Sequence, residues 1–397
     1  MPPASNIHIN AAALRTVIAG GDLAIHLQPS RLGPPAREPG DGEAEEEKGE
    51  GKSVVLTDPT PKGRPRAVIL GCAGEELSTA ERRFFADADP LGFILFRRNC
   101  RSRDQVCGLI ETLCGCIGRA DAPVLIDQEG GRVARLRPPE WRLYPSAARI
   151  AALPDPTAQQ AARLGARLIA DDLARLGVTV ACFPVLDLPV AGADLVIGDR
   201  AYGVEPERVA RLGLAACEGL IEGGVLPVLK HIPGHGRARV DSHYACPTVE
   251  TGHDELSRTD FAPFRALAAM PWAMTAHIVY RSIDPTAPAT LSARVIAEII
   301  RGEIGFDGVL VSDDLSMRAL GGGLTERAQR ALYAGCDLAL HCNGDPAEME
   351  EIVAATGPIT PEAAARLARG EAMRRSPTEF DRPEAERRFD ALMAEAR

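Results

Sequence analysis

The sequence predicts a (β/α)₈ TIM barrel, and two observations carry that prediction. Eight short apolar runs alternate with amphipathic helical stretches from Arg66 onward. Titratable residues interrupt those runs at their C-terminal ends, which is where such a barrel assembles its site.

The runs are AVILGC (67–72), GFILF (92–96), PVLID (123–127), VTVACFPVLDL (178–188), LPVLKHI (226–232), AMTAHIVY (273–280), GVLVSDD (308–314) and DLALHC (337–342). Each is continuous rather than alternating, as expected of parallel strands buried on both faces. Six helix-like segments lie between them: TAERRFFADA, RDQVCGLIETL, AQQAARLGARLIADDLARLG, PERVARLGLAACEGLIEGG, SARVIAEIIRGEIG and TERAQRALYAG. Several end in Gly, the preferred residue just past a helix C-terminus. An open doubly wound sheet is the rival fold. It favours G-x-G-x-x-G after the first strand, and GCAGEE does not fit that pattern.

Residues 1–65 differ in kind. Between Glu38 and Lys52 seven acids face two lysines, so this stretch supplies −5 of the chain's net −10. Such a composition cannot bury enough apolar area to offset the entropy of ordering, and a disordered extension is expected. Residues 66–397 then form the barrel domain. The acidic balance and an aromatic content of only 4% argue against a nucleic-acid partner. Cys72, Cys182 and Cys342 lie in apolar runs, the usage of reduced, buried thiols rather than of a disulfide framework. Cys114 and Cys116 have no further ligands at metal-binding spacing and read as helix residues. With no basic leader before an apolar segment and no run of membrane-spanning length, a cytoplasmic monomer away from membranes is expected.

The chemistry gathers at the run ends. Asp127 closes the third run, Lys230 and His231 the fifth, Asp313 and Asp314 the seventh, and His341 the eighth, while His277 lies in the sixth. After the fifth run comes KHIPGHGRARVDSHYACP, too rich in Gly and Pro for a helix and long enough to suggest a functional loop. Asp241 and His243 are two apart in it, a spacing that lets the carboxylate hold one imidazole nitrogen while the other faces a substrate. A zinc set of His231, His235, His243 and Asp313 is the metal alternative, but no H-x-H stands on an early strand.

DQEGGRVARL, IGDRAYG, KHIPGHG…VDSH, MTAHIVY and LVSDDLSM, in this order, resemble glycoside hydrolase family 3 over 66–397, and within it the single-domain bacterial β-N-acetylglucosaminidases of peptidoglycan recycling. The resemblance implies a retaining β-N-acetylhexosaminidase acting on GlcNAc-anhydro-MurNAc muropeptides, with no cofactor or metal. It implies Asp313 as nucleophile, His243 as acid/base and Asp241 as the carboxylate behind it. Asp127, Arg135, Arg200, Lys230 and His231 correspond to the residues that grip the sugar. Such residues suit the chemistry, since hydroxyls need acceptors and cationic donors, and an oxocarbenium-like transition state needs a carboxylate at C1.

A histidine departs from the usual carboxylic acid/base, yet near neutral pH an imidazole can both donate and accept the proton. Glu129 is the carboxylate alternative, although the GG after it suggests a tight turn and a packing or orienting role. Another sugar preference, phosphate as acceptor, and a sugar-binding pseudoenzyme are the remaining readings. His277 and His341 read first as satisfied core histidines. Asp314 should point away from Asp313 and cap the following turn. Arg237 and Arg239, between GHG and DSH, depart from the commoner loop and are expected to alter the charge around the leaving-group side.

Overall fold

The eight runs form eight barrel strands: β1 (Arg66–Leu70), β2 (Pro90–Leu95), β3 (Val124–Ile126), β4 (Val180–Ala181), β5 (Leu226–Ile232), β6 (Trp272–Thr275), β7 (Val309–Asp314) and β8 (Leu338–His341). The computed structural model describes residues 63–242 and 245–395. Every strand runs parallel to its neighbours in chain order, and β8 pairs back onto β1 through Val68↔Ala339 and Ile69↔Leu340 to close the barrel. The predicted TIM barrel is therefore the observed fold. Residues 1–62, most of the predicted extension, lie outside the described part, as do His243 and Tyr244.

Alternation exists along these strands but is invisible in the sequence, because both faces are apolar. Ile69, Ile94, Leu125, Val228, Met274 and Val311 fill the barrel interior. Their neighbours Val68, Leu70, Phe93, Ile126, Leu229 and Leu310 pack outward against the helices. A barrel of this kind is a packed core, which leaves its strand ends as the place for a pocket.

Several helices start and stop where their ends are chemically satisfied. Helix 79–88 opens on a Ser78–Glu81 capping box, and helix 103–117 opens on Ser102 and ends at Gly118, whose φ of 67° suits glycine. Helices 155–174 and 206–222 approach closely, since a Cβ on Gly219 would lie 2.1 Å from the Arg163 carbonyl oxygen. Three helices beyond β8 (346–355, 361–371 and 382–394) add to the six expected from the sequence. Ile359 and Ala363 join the interior cluster with Trp272 and Leu226, so this C-terminal segment closes the bottom of the barrel. No disulfide joins any of the ten cysteines, and Cys72, Cys114, Cys182 and Cys342 are buried. Among the described residues no helix is long and apolar enough to cross a membrane.

Candidate active site

At the C-terminal ends of the strands lies a pocket of about 420 Å³. Asp127, Arg135, Arg200, Lys230, His231, Asp241 and Asp313 all line it, so seven of the eight residues expected from the sequence share one cavity. The eighth, His243, lies outside the described residues. Asp127 and Asp313 lie 186 positions apart in the chain, and only barrel closure brings them together.

The pocket floor is a buried ion network. Lys230 Nζ lies 2.8 Å from Asp127 Oδ1 and 2.6 Å from Glu129 Oε1. Arg135 Nη2 donates to Asp127 Oδ2 at 2.8 Å while its guanidinium stacks on Phe96, 4.9 Å from the ring centroid. Arg200 grips Glu129 with both arms of its fork, at 2.9 and 2.8 Å. Burial pushes the Asp127 carboxyl up, but Lys230 and Arg135 outweigh it and hold it well below the usual carboxylate range. Glu129 is likewise held low against its burial by Arg200 and Lys230. Burial alone would lower Lys230, yet Asp127 and Glu129 keep it above its ordinary value. All three therefore stay charged at neutral pH. Both Glu129 oxygens are committed, and Gly130 and Gly131 follow with φ of 98° and 56°, the tight turn expected from the GG.

Lys230 and His231 are consecutive, yet both face the pocket. The pairing of β5 with β6 shifts between Lys230 and Ile232, and this irregularity breaks the strict alternation. His231 is fixed from behind by Asp187, whose Oδ2 lies 2.7 Å from Nδ1 and whose Oδ1 accepts the His231 N–H at 3.1 Å. Asp187 Oδ1 also accepts the N–H of His235 at 2.6 Å. Sequence reading does not single out Asp187, although it too is an acid near the end of an apolar run. His235 is buried against Ser242 Oγ at 3.1 Å, and burial together with His231 pushes its imidazole down to about 4.

Asp313 is the penultimate residue of β7, with its Oδ1 accepting the Asp314 N–H at 2.8 Å. Burial raises its pKa, but His277, His231, that N–H and Lys230 outweigh burial and hold it below the usual range. Asp314 turns aside, accepting from Ser316 N at 3.1 Å and Ser316 Oγ at 2.7 Å, so it caps the next turn as expected. His277 is a satisfied core residue between Thr290 Oγ1 at 2.7 Å and the Asp314 carbonyl at 3.0 Å. His341 is fully buried with Nε2 on Glu348 at 2.9 Å.

Arg237 corrects an expectation. It does not charge the leaving-group side but reaches back, with Nε on Asp260 at 2.7 Å, Nη1 on Glu255 at 2.8 Å and Nη2 on Thr259 Oγ1 at 3.1 Å. Its partners come from elements that no local pattern could bring to it. Arg239 is exposed. Among the described residues no group of three or more His, Cys, Asp or Glu is arranged to hold a metal ion.

Fixed cations and anions crowding a polar floor suit a ligand dense in hydroxyl groups, and their seat at the strand ends of a (β/α)₈ barrel is that of a barrel enzyme. The glycosyl hydrolase family 3 N-terminal domain matches residues 70–368. The chain is 40% identical over 283 residues to a β-hexosaminidase of Alkalilimnicola ehrlichii, a match covering 70% of this chain and 80% of that protein. Native NagZ from Neisseria gonorrhoeae superposes with a TM-score of 0.75 at 33% identity, over 84% of this chain and 99% of that one. A family 3 β-N-acetylglucosaminidase from Paenibacillus gives a TM-score of 0.73 at 32% identity, covering 83% of this chain and 67% of that one. The chain belongs to glycoside hydrolase family 3.

Proposed function

We propose that this glycoside hydrolase is a retaining β-N-acetylhexosaminidase that removes non-reducing terminal N-acetylglucosamine from GlcNAc-anhydro-MurNAc muropeptides during cytoplasmic peptidoglycan recycling. One observation supports it most: a single polar cavity holds Asp313 together with Asp127, Arg135, Arg200, Lys230, His231 and Asp241.

In this reading Asp127, Arg135, Arg200, Lys230 and His231 bind the sugar, with Asp127 as acceptor and the cations as donors toward its hydroxyl and amide groups. The Asp313 carboxylate attacks C1 as the bond from C1 to the leaving oxygen breaks, and His243 delivers a proton to that oxygen. Water then attacks C1, His243 takes a proton from it, and the Asp313 carboxylate departs, so configuration is retained. Asp241 holds the His243 ring in its working tautomer. The depressed pKa of Asp313 suits this role, since a nucleophile must enter the reaction ionised. Glu129 is poorly suited to be the acid, because it is ion-paired on both oxygens and held deprotonated.

The test is a panel of aryl β-glycosides of GlcNAc, GalNAc, glucose and xylose, run with and without phosphate and EDTA. Preferential cleavage of the GlcNAc glycoside, unaffected by EDTA and releasing free sugar, is expected. A phosphate-dependent rate yielding glycosyl phosphate would move the reading to phosphorolysis. EDTA inactivation reversed by zinc would move it to metal-assisted hydrolysis.

A further inference from the structure

We infer that Leu195 and Val240 form an apolar ledge that binds the leaving group, making this enzyme selective for leaving groups with an apolar face; the inference rests on the catalytic reading above. Six large apolar side chains are exposed among the described residues, and three of them, Val190, Leu195 and Val240, stand on two neighbouring loops whose residues Leu195 and Asp241 line the pocket. Single exposed apolar residues are ordinary, but half of them gathered on one pair of loops is a pattern to explain.

The two loops are knit together. Val190 N–H donates to the Gly236 carbonyl at 3.2 Å and Asp194 N–H to the Ala238 carbonyl at 2.7 Å. Leu195 is 81% exposed, yet its backbone is held still, because Arg132 donates to the carbonyls of Leu195 at 2.9 Å and Val196 at 2.6 Å while pairing with Asp199. A bulky apolar side chain presented to solvent on a fixed backbone loses little entropy when something covers it. Leu195 and Val196 line the same cavity as Asp313, and Val240 precedes Asp241, which also lines it.

The orientation follows from the chemistry. The charged floor satisfies the hydroxyls of the bound sugar, whereas the loop that bears Asp241 and His243 serves the departing oxygen. The group attached to that oxygen must leave past this loop, where Leu195 and Val240 offer apolar area between the charged side chains of Arg132, Asp194 and Arg239. An anhydro sugar fits, since its internal ring closure removes two hydroxyl groups and leaves a less polar face than an ordinary hexose.

Methyl and benzyl β-N-acetylglucosaminide have leaving alcohols of similar acidity but different apolar area, so their kcat/KM ratio reports the ledge and not the protonation step. Wild type should favour the benzyl glycoside, and Leu195→Ser and Val240→Ser should each lower the benzyl-to-methyl ratio about threefold to tenfold, while Leu195→Met retains it. A ratio near one in wild type, or one unchanged in both serine variants, overturns the ledge. Affinities for phenyl and methyl 1-thio-β-N-acetylglucosaminide, measured by calorimetry, provide the same comparison without turnover and should shift in parallel. Absence of hydrolysis with normal thioglycoside discrimination would sink the catalytic reading alone, and loss of discrimination with intact hydrolysis would sink the ledge alone.

Discussion

Asp187 Oδ2 lies 2.7 Å from His231 Nδ1, and the same carboxylate accepts the backbone N–H groups of His231 and His235 through its other oxygen. A fully buried acid thus fixes the ring orientation of one histidine and the backbone of two, 44 and 48 residues away in sequence. Burial raises its pKa, but the two histidines outweigh burial and keep it ionised.

Asp187→Ala should therefore damage both stability and activity. It strands three buried donors, at about 1–3 kcal/mol each before relaxation, so a net loss of about 3 kcal/mol is expected by urea unfolding. Among molecules still folded, a misoriented His231 should reduce kcat/KM about tenfold to hundredfold, the worth of one hydrogen bond to a charged group. Asp187→Asn keeps one acceptor and should fall between the two. An alanine variant with wild-type midpoint and rate would refute the positioning role.

The strand ends were legible because burial on both faces makes each strand a continuous apolar run, so any polar residue at its end stands out. Asp187 sits near the end of such a run too, but 178–188 contains only a two-residue strand, Val180–Ala181, and the rest runs alongside β5, bridged to it in parallel between Val185 and Lys230. Its role depends on that tertiary pairing and leaves no local trace. Arg237 escapes a local reading for a related reason. Its position between GHG and DSH suggests the mouth, whereas its direction is set by Asp260 and Glu255, which the fold brings behind the loop. Ion pairs between distant segments have no periodicity to read.

Acid should weaken the fold in two stages. An unfolded histidine titrates near pH 6.5, whereas His235 in the fold is pushed down to about 4 by burial and His231. Between those values the unfolded chain binds a proton that the folded chain refuses, so stability falls as pH drops from about 6.5 toward 4. Below about pH 4 a second loss begins, because Asp127, Glu129, Asp187 and Asp313 all have folded pKa values beneath their unfolded ones. Thermal midpoints measured from pH 8 to pH 3 should decline in this order. A midpoint that stays level between pH 6.5 and 4.5 would contradict the His235 assignment.

Arg237 should matter for the loop rather than for the charge at the mouth. Its removal leaves Asp260, which is 1% exposed and has Oδ1 without a partner, as an uncompensated buried carboxylate. Arg237→Ala should cost about 3 kcal/mol at pH 7, at the lower edge of what breaking buried pairs costs. Burial already raises the Asp260 pKa against the pull of Arg237, so without the arginine this carboxyl should protonate more readily and the penalty should shrink in mild acid. Arg237→Ala with Asp260→Asn should recover much of the loss in denaturant unfolding. Equal midpoints for wild type and Arg237→Ala would show the clamp to be energetically idle.

The proposed roles of Asp313 and His243 separate kinetically. A covalent nucleophile is needed whatever the leaving group, so Asp313→Ala should abolish turnover on every substrate. A general acid matters in proportion to the basicity of the departing oxygen, and dinitrophenolate hardly needs protonation. His243→Ala should therefore slow poor leaving groups about 10²- to 10⁴-fold and activated ones far less. The second half-reaction also uses His243, as the base that activates water, so with an activated substrate the glycosyl-enzyme should accumulate. That predicts a burst of dinitrophenolate and a mass increment on the peptide containing Asp313. Azide needs no deprotonation, and it should restore turnover in His243→Ala and yield the β-glycosyl azide. Equal losses on all leaving groups, with no azide rescue, would remove His243 from the acid/base role, and a label on any residue other than Asp313 would overturn the nucleophile.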